Sequence, residues 1–138
     1  MVYKVRRKKD SQNFVLKQID TTKMNTAQRR DALKETTILK ALQNQYIVRY
    51  VTHFSDRKQI NIIMEYCDGG DLGGYMKRQM GHNLSESKIW KFFIQICLGI
   101  QYLHSRKILH RDIKTINMFL MKDESLRVGD LGVAKMLN

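Results

Sequence analysis

The residue types best suited to chemistry gather near the end of the chain. His110, Arg111, Asp112, Ile113, Lys114, Thr115, Ile116 and Asn117 are followed at short distance by Asp130, Leu131 and Gly132. An acid, a lysine, an amide and a second acid in that order suit magnesium-dependent phosphoryl transfer. Asp112 would orient and deprotonate an attacking hydroxyl, and Lys114 would neutralise charge on the transferred phosphoryl group. Asn117 and Asp130 would supply oxygen ligands to magnesium bridging nucleotide phosphates. Farther upstream, Lys17 alternates with the apolar residues Val15 and Leu16 and Ile19 on a predicted strand. A lysine so placed must reach solvent or find an anion. Glu35 precedes Ile38, Leu39 and Leu42 on a predicted helix, a spacing that lets it face a cleft while they pack.

Short apolar segments at residues 107–109, 118–121 and 126–128 predict strand pieces that hold the polar residues on loops at strand ends. Residues 2–7 and 14–19 predict a β-hairpin, and residues 47–54 and 59–66 a second one turning at Ser55, Asp56, Arg57 and Lys58. Between them lies a helix over 26–42, with Thr26 as N-cap and a stripe of Leu33, Ile38, Leu39 and Leu42. Gly69 and Gly70 mark a flexible joint. A short helix capped by Asp71 runs to about residue 80. A longer one, capped by Ser85, runs to about residue 105. Its expected buried stripe is Ile89, Phe93, Ile96, Ile100 and Leu103, widened by Trp90, Phe92 and Cys97.

Composition narrows the classes. With 43% hydrophobic residues among 138, the chain is globular rather than disordered. No apolar run is long enough to cross a bilayer, and the charged first ten residues lead into no secretory signal. Cys67 and Cys97 have neither metal nor redox spacing, so they read as small buried thiols in a reduced, intracellular setting. The formal charge of +12 favours anionic partners. The cations are dispersed, however, and the one tight cluster, Arg6, Arg7, Lys8 and Lys9, has no alternating aromatics. A solvated basic rim is expected there rather than a specific nucleic-acid site.

The run from His110 to Asn117, with Asp130, Leu131 and Gly132, resembles the protein-kinase catalytic loop and the metal-binding tripeptide after it. Lys114 two residues after Asp112 resembles the serine/threonine class. Four longer strings are similar to the NIMA-related (Nek) family of serine/threonine kinases. They are Ile47-Val48-Arg49-Tyr50, Met64-Glu65-Tyr66-Cys67-Asp68-Gly69-Gly70-Asp71-Leu72, the stretch from Lys107 to Thr115, and the stretch from Val128 to Asn138. The resemblance implies an α+β, two-lobed protein-kinase-like fold truncated at both ends. Residues 1–66 would form an incomplete N-lobe of sheet plus helix, 67–70 the hinge, and 71–138 an incomplete, mainly helical C-lobe.

By the same resemblance, ATP and Mg2+ are the cofactors, and protein Ser/Thr side chains accept the phosphoryl group. Lys17 would hold the inner phosphates through an ion pair with Glu35. Val2 and Val15 would roof the adenine, Phe119 would floor it, and Met64 would be the gatekeeper. The backbone of Glu65 and Cys67 would bond the adenine edge. Asp71 would reach the ribose or a basic substrate side chain, or simply cap its helix. Leu131 would replace the usual Phe as an apolar plug. The family setting is cytoplasmic, with cytoskeletal association. Two departures stand against full activity: no glycine-rich phosphate loop precedes Met1-Val2-Tyr3-Lys4, and no Ala-Pro-Glu anchor follows Asn138. The expectation is therefore a weak or inactive chain with kinase family function. The alternative is a non-catalytic kinase-like binding fragment that meets a partner protein through apolar surface left around Trp90, Phe93 and Ile100. A nucleic-acid binder rests on charge alone.

Overall fold

The computed structural model describes residues 1–56 and 58–137; Arg57 of the expected turn, Asn138 and the side chain of Glu35, the expected partner of Lys17, lie outside the described residues. The chain forms two compact units, Met1–Gln43 with Arg49–Tyr66, and Asn44–Val48 with Cys67–Asn138.

The first unit is an antiparallel sheet with one helix. Strands β1 (Val2–Arg6), β2 (Asn13–Asp20), β3 (Tyr50–Ser55) and β4 (Gln59–Glu65) lie in the order β1-β2-β4-β3. The register sets Val2 opposite Lys17, Lys17 opposite Ile62, and Val15 opposite Met64. Directly opposed residues share a face and neighbours along a strand alternate, so Val2, Val15, Lys17 and Met64 lie on one face of this sheet. Helix α1 (Thr26–Ala41) starts one residue earlier than expected, with Asn25 as its N-cap in place of Thr26. The Asn25 side chain accepts the Gln28 backbone N–H at 2.9 Å, and the Gln28 side chain accepts the Asn25 N–H at 3.0 Å. This reciprocal capping box satisfies two otherwise orphaned donors, which Thr26 one position later does not do. Thr36, Ile38, Leu39 and Leu42 are buried, while Leu33 is exposed.

In the second unit, β5 (Gly70–Asp71), β7 (Met118–Leu120) and β8 (Leu126–Val128) make a three-stranded sheet. β6 (Ile108–Leu109) pairs with β9 (Lys135–Met136). Helix α2 (Leu72–Lys77) follows β5, and α3 (Glu86–Ser105) packs on β8 and β6. Gly70, expected in a flexible joint, opens a strand instead. Gly69 supports it by donating its N–H to the Leu120 carbonyl at 2.8 Å. Any Cβ at Gly69 would lie 2.7 Å from the Met121 carbonyl oxygen, so that approach requires glycine. The expected strand over 47–54 begins only at Tyr50. Just before it, the Val48 N–H donates to the Val128 carbonyl at 2.9 Å, and the Val128 N–H donates to the Tyr46 carbonyl at 2.7 Å. Those backbone groups therefore serve β8 rather than β3.

The face of α3 is also rotated from the expected one. Phe92 and Leu103 are buried as expected, together with Gly99, and Ile96 and Ile100 are half-buried, whereas Ile89, Trp90, Phe93 and Cys97 are exposed. Gly99 explains the rotation. A Cβ there would lie 2.8 Å from Val128 Cγ2 and 3.0 Å from the Tyr46 carbonyl oxygen, so the bare side of the helix is the one that meets β8. Counting apolar residues missed this because glycine does not register as apolar bulk. Leu103 is fully buried, so Leu103→Ala is expected to lower stability by about 2–5 kcal/mol in urea denaturation. Ile89→Ala, on the exposed side, is expected to change it by roughly 0.5 kcal/mol or less. Equal losses would restore the originally expected stripe.

Candidate active site

The catalytic-loop residues hang between β6 and β7, with the 3-10 turn Thr115–Asn117 closing the loop. His110, only 3% exposed, is the inner anchor. The Asp112 backbone N–H donates to its Nδ1 at 3.2 Å, and its Nε2 bonds the Gly129 carbonyl at 2.8 Å. A backbone N–H can only donate and a carbonyl can only accept, so the ring carries its proton on Nε2. The same Gly129 residue donates its N–H to the Asn117 carbonyl at 2.9 Å. One residue thus ties the start of the loop, its end and the segment that leads to Asp130. A Cβ on Gly129 would lie 2.7 Å from the Phe119 ring and 2.8 Å from Val48 Cγ2, so no other residue fits without displacement.

Arg111 and Asp130 both have left-handed backbones, with φ of 67° and 55°. A non-glycine residue holds such a conformation at a cost of order 1–3 kcal/mol, and the surrounding bonds must offset it. For Arg111 one such bond is visible: its Nε donates to the Val133 carbonyl at 2.7 Å. Strain of this kind concentrates where side chains must point in an unusual direction.

Asp112 lies at the centre of the side-chain cluster. Its Oδ2 accepts the amide of Asn117 at 3.0 Å and the ammonium of Lys114 at 2.8 Å. The Asn117 amide also donates to the Asp112 carbonyl at 2.9 Å, and Asn117 is buried. The structure therefore brings Asp112, Lys114 and Asn117 together as a single bonded group. Neither Asp112 Oδ1 nor Asn117 Oδ1 accepts a hydrogen bond among the described residues. Asp130 is exposed just beyond the Gly129 anchor, and Leu131 beside it is buried.

This unit matches the protein kinase domain over residues 1–138 together with the rest of the chain. The chain belongs to the protein kinase family. Three relatives illustrate the likeness. Serine/threonine-protein kinase Nek1 of Mus musculus is 38% identical over 134 residues, covering 97% of this chain and 11% of that protein. Serine/threonine-protein kinase Nek5 of Homo sapiens is 41% identical over 137 residues, 99% of this chain and 19% of that protein. Serine/threonine-protein kinase Nek9 of Mus musculus is 41% identical over 133 residues, 96% of this chain and 14% of that protein. The kinase chain therefore spans about a tenth to a fifth of the length of these relatives.

The remaining expected site residues of this kinase domain divide between the two units. In the second unit, Asp71 lies opposite Phe119 in the β5–β7 pairing, and its carboxylate accepts the Gly74 N–H at 2.8 Å as the N-cap of α2. Cys67 is buried. In the first unit, Val2, Val15, Lys17 and Met64 share their sheet face, and Val2 is largely exposed. Glu65 is tied to Arg49, just before β3, its N–H donating to the Arg49 carbonyl at 2.9 Å and its carboxylate accepting the Arg49 N–H at 2.7 Å. Sequence reasoning passed over the anchoring roles of His110 and Gly129. The available signal was a histidine opening the polar loop and a glycine immediately before the second acid.

Lys114, and to a lesser extent Asn117, hold the Asp112 carboxyl below the usual carboxylate range, against partial desolvation. A lowered folded-state value means that the ionised group stabilises the fold above the ordinary carboxylate pKa of about 4. That contribution is lost as pH falls through the lowered value. Lys114→Met should therefore raise the Asp112 pKa, read by carboxyl-carbon NMR titration. An unchanged titration would show that the ion pair does not act in solution.

Proposed function

We propose that this chain carries magnesium- and ATP-dependent transfer of the γ-phosphoryl group to Ser or Thr hydroxyls of protein substrates. The observation that supports it most is the Asp112 carboxylate, with Oδ2 held by Lys114 and Asn117 and Oδ1 left to meet an incoming hydroxyl. Asp112 would orient that hydroxyl and take its proton. Lys114, adjoining the same carboxylate, would draw toward charge on the moving phosphoryl group. The protein kinase family generally uses ATP and Mg2+.

The donor set fits magnesium. Asn117 turns its amide nitrogen to Asp112, which leaves a hard oxygen, and Asp130 adds a carboxylate. Among the described residues no cluster of three or more His, Cys, Asp or Glu could hold a metal by itself. Magnesium characteristically takes one or two protein oxygens and completes its shell with phosphate and water. Asn117 and Asp130 would hold the ion, which would neutralise phosphate charge when bound.

In this reading Lys17 holds the inner phosphates. Val2, Val15, Met64 and the Glu65 backbone serve the adenine from the first unit, while Phe119 and the Cys67 backbone keep the adenine roles that the family resemblance implies. The common sheet face of Val2, Val15, Lys17 and Met64 supports assigning them to one ligand. Asp71 serves mainly as a helix cap, consistent with its bond to Gly74. The division into a partial N-lobe over 1–66, a hinge over 67–70 and a partial C-lobe over 71–138 belongs to the same proposal, as does an intracellular setting. Among the described residues no helix is long and apolar enough to cross a membrane. A second reading, a non-catalytic binding fragment, draws support from the exposed Ile89, Trp90 and Phe93 on α3.

Radiolabelled phosphate transfer to a mixed Ser/Thr protein substrate tests the first reading. Asp112→Asn is expected to lower the rate by roughly 10²–10⁴-fold. Removing magnesium with EDTA is expected to abolish transfer. Equal rates for Asp112→Asn and the unaltered chain would refute the role of Asp112. Thermal denaturation separates the readings: a ligand at 100 times its Kd stabilises by about 2.7 kcal/mol. Asp130→Asn should reduce the stabilisation by Mg-ATP. No stabilisation of the unaltered chain at saturating Mg-ATP would favour the non-catalytic reading.

A further inference from the structure

The β1–β2 hairpin carries Lys4, Arg6, Arg7, Lys8 and Lys9 in a stretch whose only acid is Asp10. Simple charge counting gives one compensated cation; the geometry shows which one. The Arg7 guanidinium donates from Nε to Asp10 Oδ1 at 2.9 Å, from Nη2 to Asp10 Oδ2, and from Nη2 to Gln12 Oε1 at 2.8 Å. It also lies over the Phe14 ring, 5.0 Å from the centroid. The Gln12 N–H donates to the same carboxylate at 3.2 Å. Arg7 first, and that backbone bond second, draw the Asp10 pKa down to about 2. Asp10 is therefore fully engaged in closing its own turn.

The turn is fixed by backbone bonds as well. Arg7 N–H donates to the Gln12 carbonyl at 2.8 Å and Ser11 N–H to the Arg7 carbonyl at 2.9 Å, with Ser11 in the left-handed region at φ 59°. What remains at the tip is Arg6, Lys8 and Lys9, all exposed and with no ion pair among the described residues. Lys4, lower on β1, lies over the Tyr66 ring at 4.5 Å. Three uncompensated cations on a braced turn form a pre-organised site for anions, because little backbone entropy remains to be lost on binding.

We propose that the hairpin tip formed by Arg6, Lys8 and Lys9 docks an acidic, Asp/Glu-rich segment of a partner protein. Nucleic acid fits less well, because base stacking needs exposed rings interleaved with the cations. The exposed aromatic of β1, Tyr3, lies on the opposite face from Lys4 and Arg6, and its hydroxyl meets Met1 Sδ at 3.0 Å. An anionic membrane fits less well because polybasic lipid recognition draws on clusters of about 4–8 cations, and the tip offers fewer. Carboxylates match the Arg6 fork and the Lys8 and Lys9 point charges with no further requirement.

Fluorescence anisotropy of a short labelled Glu-rich peptide tests this at about 0.15 M salt, where the Debye length is roughly 8 Å. The double variant Lys8→Glu/Lys9→Glu is compared with Lys77→Glu/Lys122→Glu, which reverses two exposed charges on the other unit and gives the same net charge. Circular dichroism melts confirm that both variants fold. The hairpin variant is expected to weaken peptide binding at least tenfold, and the charge-matched variant by less than about twofold. Parallel titrations use a single-stranded oligonucleotide and phosphatidylserine-containing vesicles. Equal weakening in both variants, absence of peptide binding, or tighter hairpin-dependent binding of the oligonucleotide or vesicles would each overturn the proposal.

Discussion

The Gly129 peptide is the constraint on which the second unit's chemistry depends. Its carbonyl receives the proton of a buried histidine, and its N–H bonds the carbonyl of the buried Asn117. Because His110 also receives the Asp112 N–H, the two ends of the loop and the segment before Asp130 become a single hydrogen-bonded assembly. In a buried setting such bonds strengthen one another, and breaking one leaves a polar group unsatisfied. The absence of a side chain at 129 lets Phe119 and Val48 close over this junction. Asp130, immediately afterwards, takes a left-handed conformation.

That assembly explains why the polar cluster is ordered although much of it is exposed. Lys114 and Asp112 are both partly solvated, and an isolated pair of this kind contributes little to stability. Its value lies in orientation: Asn117, fixed by burial and by the Gly129 bond, holds the same carboxylate oxygen of Asp112. The first unit contributes a different kind of order. There strand register alone collects Val2, Val15, Lys17 and Met64 onto one face.

Much of this was legible in the sequence where a short-range pattern governs it. The alternation in β1 and β2 and the polar order of Asp112, Lys114 and Asn117 are of that kind. The α1 cap was misplaced by one residue because Asn25 and Thr26 are both good caps, and only the reciprocal bond to Gln28 distinguishes them. The buried side of α3 was misjudged because a glycine, not a large apolar residue, defines it. Cys97 followed that error to the surface. Residues 47 and 48 read as the start of β3, yet the backbone of Tyr46 and Val48 serves β8, a choice set by partners some eighty positions downstream. The two-residue strands β5 and β9 are too short for any period to reveal. The same limit hid the role of His110, whose partner is 19 residues away.

The central claim, that His110 links the catalytic loop to the Gly129 peptide, is tested most directly by the imidazole nitrogens themselves. Nitrogen-15 NMR of His110 near neutral pH should show Nε2 bearing the proton and Nδ1 bare, coupled to the Asp112 amide. A proton on Nδ1 would contradict it, because the Asp112 N–H would then have no acceptor there and the link between the loop and Gly129 would not exist in solution.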